Sequence, residues 1–249
     1  MTSFIDPPRL PTIDLSLFDV GDPWRDHVAA QIDWAASSFG VFQILESGID
    51  RALMDNMLEL GGKYLRRGGD PWSNLPGFHD TVREYATTMT GLGHKLMTTM
   101  ARGLHLDDSF FVDRYSGNPV TSLRIRNRLV LSEGVPVALP EADDGADRGL
   151  LTIVKLGESA DQVRFDGQWL DVPAYPGALL CYVGPVLERL TQGRYLSAAH
   201  RLRLADAAVP PSISFAFEPA PQAVLTPVAG VSPRDQAPGA SRQAFAARF

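Results

Sequence analysis

The chain has 249 residues, 45% hydrophobic and 21% charged, enough to bury one sizeable core and too apolar to be disordered in the main. A net charge of −6 without any basic run argues against a nucleic-acid or anionic-membrane partner, because a phosphate-binding surface needs clustered Lys or Arg. The single cysteine, Cys181, excludes an intrachain disulfide framework and any Cys-based zinc site. The start MTSFIDPPRLPTIDL has neither a basic segment nor an apolar run, and no stretch nears the ~20 apolar residues of a membrane span. A cytoplasmic protein handling a small molecule is the expectation, with its oligomeric state open.

From Arg25 to Ala36, Val28, Ala29, Ile32 and Ala35 recur at three- and four-residue steps and predict a helix with one apolar face. FGVFQILESGID reads as a short buried strand and a turn. A second helix is expected from Arg51 to Leu65, with Leu53, Met54, Met57, Leu58 and Leu65 on its stripe. The longest stripe, Phe78, Val82, Tyr85, Met89, Leu92, Leu96, Met100 and Leu104, predicts a long helix backing a sheet, with Gly91 and Gly93 as points of close packing. After Tyr115 the pattern turns strand-like. TSLRIRNRLV alternates, GLLTIVKL and GALLCYVG are short buried runs, and VRFDGQWLDVP is a hairpin whose Asp166-Gly167 pair suits a type I′ turn. SISFAFEP is a further strand. Helices followed by short strands imply an α+β fold with a β-sandwich or barrel. The chain is read as a single domain, 1–249, with a mainly helical part at 1–115, a barrel core at 116–219 and a tail with a short terminal helix at 220–249.

Several segments together resemble the isopenicillin N synthase-like branch of the Fe(II)- and 2-oxoglutarate-dependent oxygenases. They are PTIDLSLF with the following helix and FGVFQILESGI, the stretch GQWLDVPAYPGALLCYVGPVLERLTQGRYLSAAHRL, SISFAFEP, and the terminal QAFAARF. The resemblance spans almost the whole chain and implies a double-stranded β-helix (jelly roll) core backed by N-terminal helices. Length missing relative to that branch falls between Tyr64 and Phe78. The family's metal site is two His and one carboxylate. His200, in SAAHRL, matches the distal histidine. The proximal His-x-Asp should precede GLLTI, where this chain reads EADDGADRGLLTI. Aligned without a gap, Asp147 takes the carboxylate position, 53 residues before His200, and Gly145 the histidine position. With a four-residue insertion, Glu141-Ala142-Asp143 is the counterpart. Neither alignment supplies a second histidine, and of His27, His79, His94, His105 and His200 only the last lies in the barrel half.

The family's Arg-x-Ser, which binds the distal carboxylate of 2-oxoglutarate, aligns with Pro210-Pro211-Ser212. Ser212 is kept, but proline cannot replace a bidentate guanidinium. Arg124, Arg126 and Arg128 share one face of their strand, opposite Leu123, Ile125 and Leu129. That face is either solvated or, as the resemblance implies for Arg126 and Arg128, turned to the cavity to bind a carboxylate, phosphate or enolate. Tyr182 stands where relatives often carry Asn, as packing or as a hydrogen-bond donor to the pocket; Pro185 falls in the family's Gly-Asp turn.

With the barrel kept and its chemical groups replaced, the leading expectation is a metal- and 2-oxoglutarate-independent isomerase, lyase or cyclase of secondary metabolism, with no cofactor and a degenerate facial triad. His200 and Asp147 would transfer protons, Arg126 and Arg128 would stabilise negative charge, and Tyr182, Ser212 and Arg124 would bind substrate. One alternative is an oxygenase holding Fe(II), with or without 2-oxoglutarate, on His200, Asp147 and Glu141 or Asp143. The other is a non-catalytic binding protein that retains only the barrel.

Overall fold

The apolar stripes of the first half fold as three helices against one face of a sheet. The computed structural model describes residues 10–67, 75–126, 131–132, 135–136, 149–157, 161–165, 167–202 and 211–231, with Arg126, Leu131, Ser132, Val135, Pro136 and Leu202 described by their backbone alone. In chain order the elements are β1 (Thr12–Asp14), a 3-10 turn (Leu15–Asp19), α1 (Asp22–Ser38), β2 (Val41–Leu45), α2 (Arg51–Arg66), α3 (Phe78–Gly103), and a π-helical turn (Val112–Ser116). There follow β3 (Val120–Arg126), β4 (Leu131–Ser132), β5 (Val135–Pro136), β6 (Leu151–Lys155), β7 (Asp161–Phe165), β8 (Gln168–Asp171), β9 (Leu179–Val183), α4 (Pro185–Leu190), β10 (His200–Leu202) and β11 (Ser212–Glu218).

Local chemistry sets the element ends. Pro23 occupies the first turn of α1, where a missing N–H costs nothing. The Asp50 carboxylate caps α2 by accepting from the Ala52 N–H at 2.9 Å. Gly40 makes the α1–β2 turn at φ +69, and a Cβ there would lie 2.3 Å from the Leu196 carbonyl oxygen, so no other residue fits. Phe165 pairs with Gln168, so β7 and β8 form the hairpin expected from the sequence, with Gly167 at φ +81. Pro185 does not sit in a turn as the resemblance implied; it opens α4, again in the first turn of a helix.

Six strands form the main sheet in the order β1-β2-β9-β6-β11-β3, and β10-β7-β8 form a small second sheet. The chain leaves the main sheet after β6 and returns at β9, then leaves after β9 and returns at β11, the crossovers of a jelly roll. Opposed residues of an antiparallel ladder share a face, so the registers sort the main sheet into two sides. Phe42, Ile44, Leu179, Cys181, Leu151, Ile153, Ile213, Phe215 and Phe217 face the helices and join their core. Gly93 brings α3 so close that a Cβ would lie 2.5 Å from the Phe217 ring, whereas Gly91 meets nothing within 4 Å. The other side faces the small sheet, where Val41, Val154, Leu156, Leu180 and Tyr182 pack with Val163 and Val172 in a second apolar cluster. That side is the barrel interior.

Candidate active site

His200 opens β10, opposite Val163 of β7, and its imidazole reaches across the barrel to the main sheet. It stacks on Tyr182 of β9 with ring centroids 4.0 Å apart and planes 24° apart. Tyr182 is buried, stands directly opposite Thr152 of β6 and Val41 of β2, and so forms the interior floor beneath the histidine. Nδ1 of His200 lies 3.3 Å from the Ala198 carbonyl oxygen; a proton on Nδ1 donates there and leaves the lone pair on Nε2.

On β11 and β3 the interior side becomes polar. Ser212 pairs with Arg126 and Ser214 with Arg124, while the intervening Ile213, Ile125 and Leu123 turn to the helical core. Ser212 and Ser214 are both buried on this side. Gln43 lies on the same side; its amide N–H donates to the Pro173 carbonyl, and its Oε1 is buried with no partner among the described residues. Lys155 is also buried, and burial lowers its pKa, but it pairs with Ile213 on the helix side, outside this site.

The structure therefore brings His200 and Tyr182 together and sets Ser212 and Arg126 opposite each other, with Arg124 one interior step along β3 and exposed. Arg128, Glu141, Asp143 and Asp147 lie outside the described residues. Among the described residues no three His, Cys, Asp or Glu side chains cluster closely enough to hold a metal. His94 meets the sheet from the helix side, with Nε2 2.7 Å from the Ser116 carbonyl oxygen and its ring edge on Phe217, so it is not a barrel imidazole. Sequence reasoning missed Ser214, Thr152 and Gln43. The alternation of SISFAFE pairs Ser214 with Ser212; Thr152 sits in an unbroken apolar run and gives no such signal.

These groups fit the family's cofactors. An imidazole whose second nitrogen is held by a carbonyl is the usual setting of a metal-ligating histidine. Buried polar atoms normally find partners, so the unpartnered Gln43 Oε1 and the hydroxyl-bearing Ser212 and Ser214 suit a polar ligand on this side. The carboxylates of 141–147 precede β6, whose Thr152 is the cross-strand neighbour of Tyr182.

Comparison with known proteins defines the class. Residues 10–66 match the family described as non-haem dioxygenase in morphine synthesis N-terminal, and residues 136–218 match the 2OG-Fe(II) oxygenase superfamily. The chain belongs to the 2OG-Fe(II) oxygenase superfamily. Over 93% of its length it is 23% identical to 1-aminocyclopropane-1-carboxylate oxidase of Musa acuminata, covering 89% of that protein. A shorter match of 31% identity relates 53% of the chain to 40% of a Dictyostelium discoideum protein named as an iron/ascorbate oxidoreductase, less than half of that relative. The crystal structure of JOX2 in complex with 2OG, Fe and JA superposes with a TM-score of 0.74 at 20% identity, covering 93% of this chain and 81% of that one, which shows the fold.

These findings correct the sequence reading. The expectation of a cofactor-independent isomerase, lyase or cyclase, and of no cofactor, is overturned, because the matching superfamily is that of the 2OG-Fe(II) oxygenases and the relatives are named as an oxidase and a dioxygenase. The degenerate triad finds no support among them either. The error has a physical source. A missing second histidine was equated with a missing metal, although an imidazole with carboxylates remains a donor set that first-row divalent cations accept.

Proposed function

We propose that this protein is a small-molecule oxygenase of the 2OG-Fe(II) type. The observation that carries the reading is the His200 imidazole held inside the barrel on the Tyr182 ring, with Ser212 and Ser214 on the same interior side. His200 and Asp147 would hold the iron, with Glu141 or Asp143 as a further donor, and 2-oxoglutarate would lie along the polar end of the interior. Iron(II) with 2-oxoglutarate supplies the activation of dioxygen for oxidising an unactivated carbon.

The chain's own groups have three tasks. Tyr182 orients His200 by stacking, and the Ala198 carbonyl keeps the ring proton on Nδ1. Val41, Val154, Leu180 and Val163 pack as an apolar cluster on the interior side, and apolar side chains there suit a largely apolar substrate. The relatives named for 1-aminocyclopropane-1-carboxylate and flavanone act on small molecules, which supports a substrate of that size and a setting in secondary metabolism.

Anaerobic purification followed by metal analysis and oxygen-electrode measurements tests this. The expected result is about one iron per chain on reconstitution, with oxygen uptake and succinate formation that require both Fe(II) and 2-oxoglutarate. A protein that binds no Fe(II) and turns over no 2-oxoglutarate with any of a panel of apolar substrates overturns it.

A further inference from the structure

His200 stands on a three-residue strand, and among the described residues β10 pairs with β7 alone. A strand that short at the border of a sheet has few ladder bonds and opens easily, so the ladder alone does little to fix the imidazole. Side chains behind it do more. Successive residues of a strand point to opposite faces, so while His200 and Val163 face the interior, Arg201, Gln162 and Asp171 form one rung across all three strands on the outer face. Within that rung Nε of Arg201 donates to Oε1 of Gln162 at 2.9 Å, and Nε2 of Gln162 donates to Oδ1 of Asp171 at 2.7 Å. The neighbours fix that amide's orientation, since an arginine only donates and a carboxylate only accepts. The Arg201 guanidinium also lies 4.1 Å from the centre of the Trp169 ring, on β8, two strands away. Gln162 is buried, and both ends of its amide are engaged.

We propose that Arg201 is a positioning residue for the metal-binding imidazole: tied to Gln162 and laid over Trp169, it locks β10 in register on β7 and so keeps His200 on the Tyr182 ring. The metal part of the inference rests on the oxygenase reading above, whereas the placing of the ring does not. Register matters here because a slip of one residue turns His200 outward and Arg201 into the barrel. Both partners of Arg201 lie on the outer face, so both contacts are lost in the slipped strand. Arginine suits the double task, because a guanidinium donates hydrogen bonds in its plane while its face stacks on an indole. A lysine keeps the charge and loses the planar fork, so it serves only in part. Tyr182 thus holds the imidazole from the front, and the Arg201 latch holds its strand from behind.

The test is proton NMR of the metal-free full chain, with calorimetric titration of Mn(II) beside it. The His200 imidazole signals, identified by their loss in His200→Ala, are expected upfield of their position in Tyr182→Leu, because the ring lies over a tyrosine. In Arg201→Ala they are expected to move to the Tyr182→Leu position, with Mn(II) affinity falling about tenfold, the usual cost of a lost orienting group. The His94 signals, from the helix side of the main sheet, should stay in place, which a general loosening of the fold would not allow. Arg201→Lys is expected to recover part of both effects, and Gln162→Met and Trp169→Leu each to show part of both. Arg164→Ala, which removes an exposed cation from the same outer face, is expected to change neither. His200 signals at the wild-type position in folded Arg201→Ala overturn the proposal. So does an equal shift in Arg164→Ala, and so does wild-type Mn(II) affinity in an Arg201→Ala whose signals have moved. If near-UV circular dichroism shows Arg201→Ala unfolded, the same criteria apply to Arg201→Lys, Gln162→Met and Trp169→Leu. Wild type that binds no Mn(II) refutes the oxygenase reading and with it the metal role of the latch, while the ring shift still decides whether Arg201 places His200.

Discussion

The His200 imidazole lies nearly flat on the Tyr182 ring, 4.0 Å between centroids, and this contact joins the small sheet to the interior floor of the main one. If the ring, rather than the phenol, orients the histidine, Tyr182→Phe keeps Mn(II) affinity within threefold of wild type. Tyr182→Leu removes the platform and is expected to weaken Mn(II) by about 10–100-fold, the usual cost of losing an orienting group beside a ligand. His200→Ala should abolish binding. Equal Mn(II) affinity in Tyr182→Leu and wild type, with both folded by near-UV circular dichroism, would dismiss the stacking as functional.

Two glycines a residue apart in α3 have opposite tasks. Gly91 faces open space, so Gly91→Ala gains only helix propensity and is expected to stabilise the protein by about 0.5–1 kcal/mol. Gly93 lets α3 approach the Phe217 ring, and a methyl there would sit 2.5 Å from it. Gly93→Ala is therefore expected to destabilise by about 1–3 kcal/mol as the core is overpacked, despite the same propensity gain. Urea midpoints of the two variants against wild type decide it; a stabilised Gly93→Ala would show that the sheet yields freely.

The helices and most long strands were legible because a 3.6-residue stripe or a two-residue alternation is written in consecutive residues, as in α3 and in Ser212–Phe217. The alternation of β3 was legible for the same reason: Leu123 and Ile125 pack on the helical core, and Arg124 between them lies on the other side and is exposed. The contact of His200 with Tyr182 was not, because it depends on two sheets closing over each other, and no spacing in sequence encodes that. Thr152, within LLTIV, gives no periodic signal, and the short β1 and α4 are too brief to carry a period. The chemistry went astray over single positions in 141–147, whereas family membership follows from the match along 10–66 and 136–218.

Arg102, at the end of α3, ties three acidic groups together, donating to Asp108 at 2.7 and 3.0 Å and to Asp26 at 2.8 Å, with Asp22 at 3.3 Å. Its hydrogen bonds hold the Asp108 carboxyl below the ordinary carboxylate range, against the opposing effect of partial burial. A depressed folded-state pKa means that the unfolded chain takes up the proton first. The stabilisation is thus full above the ordinary carboxylate pKa and is lost as pH falls through the lower folded value. Wild type should lose this stabilisation progressively in acid, as pH falls below the ordinary carboxylate pKa. Asp108→Asn should be the less stable protein at pH 7, with the gap to wild type narrowing as pH falls. Urea midpoints at pH 7, 5 and 3 measure this, and a gap that widens in acid contradicts the pairing.

Cys181 lies on the helix side of β9, fully buried opposite Phe42 and Ile153, and burial pushes its thiol pKa far above the ordinary value. A thiolate is the reactive species, so an interior thiol held protonated is inert twice over, by access and by charge. The native protein is expected to show no reaction with Ellman's reagent at pH 8 over an hour, and one thiol per chain on addition of 6 M guanidinium. Because labelling then needs opening of the main sheet, its rate in intermediate urea should track global unfolding measured by fluorescence. Fast labelling of the native protein would mean that β9 opens locally, and with it the Tyr182 floor on which His200 rests.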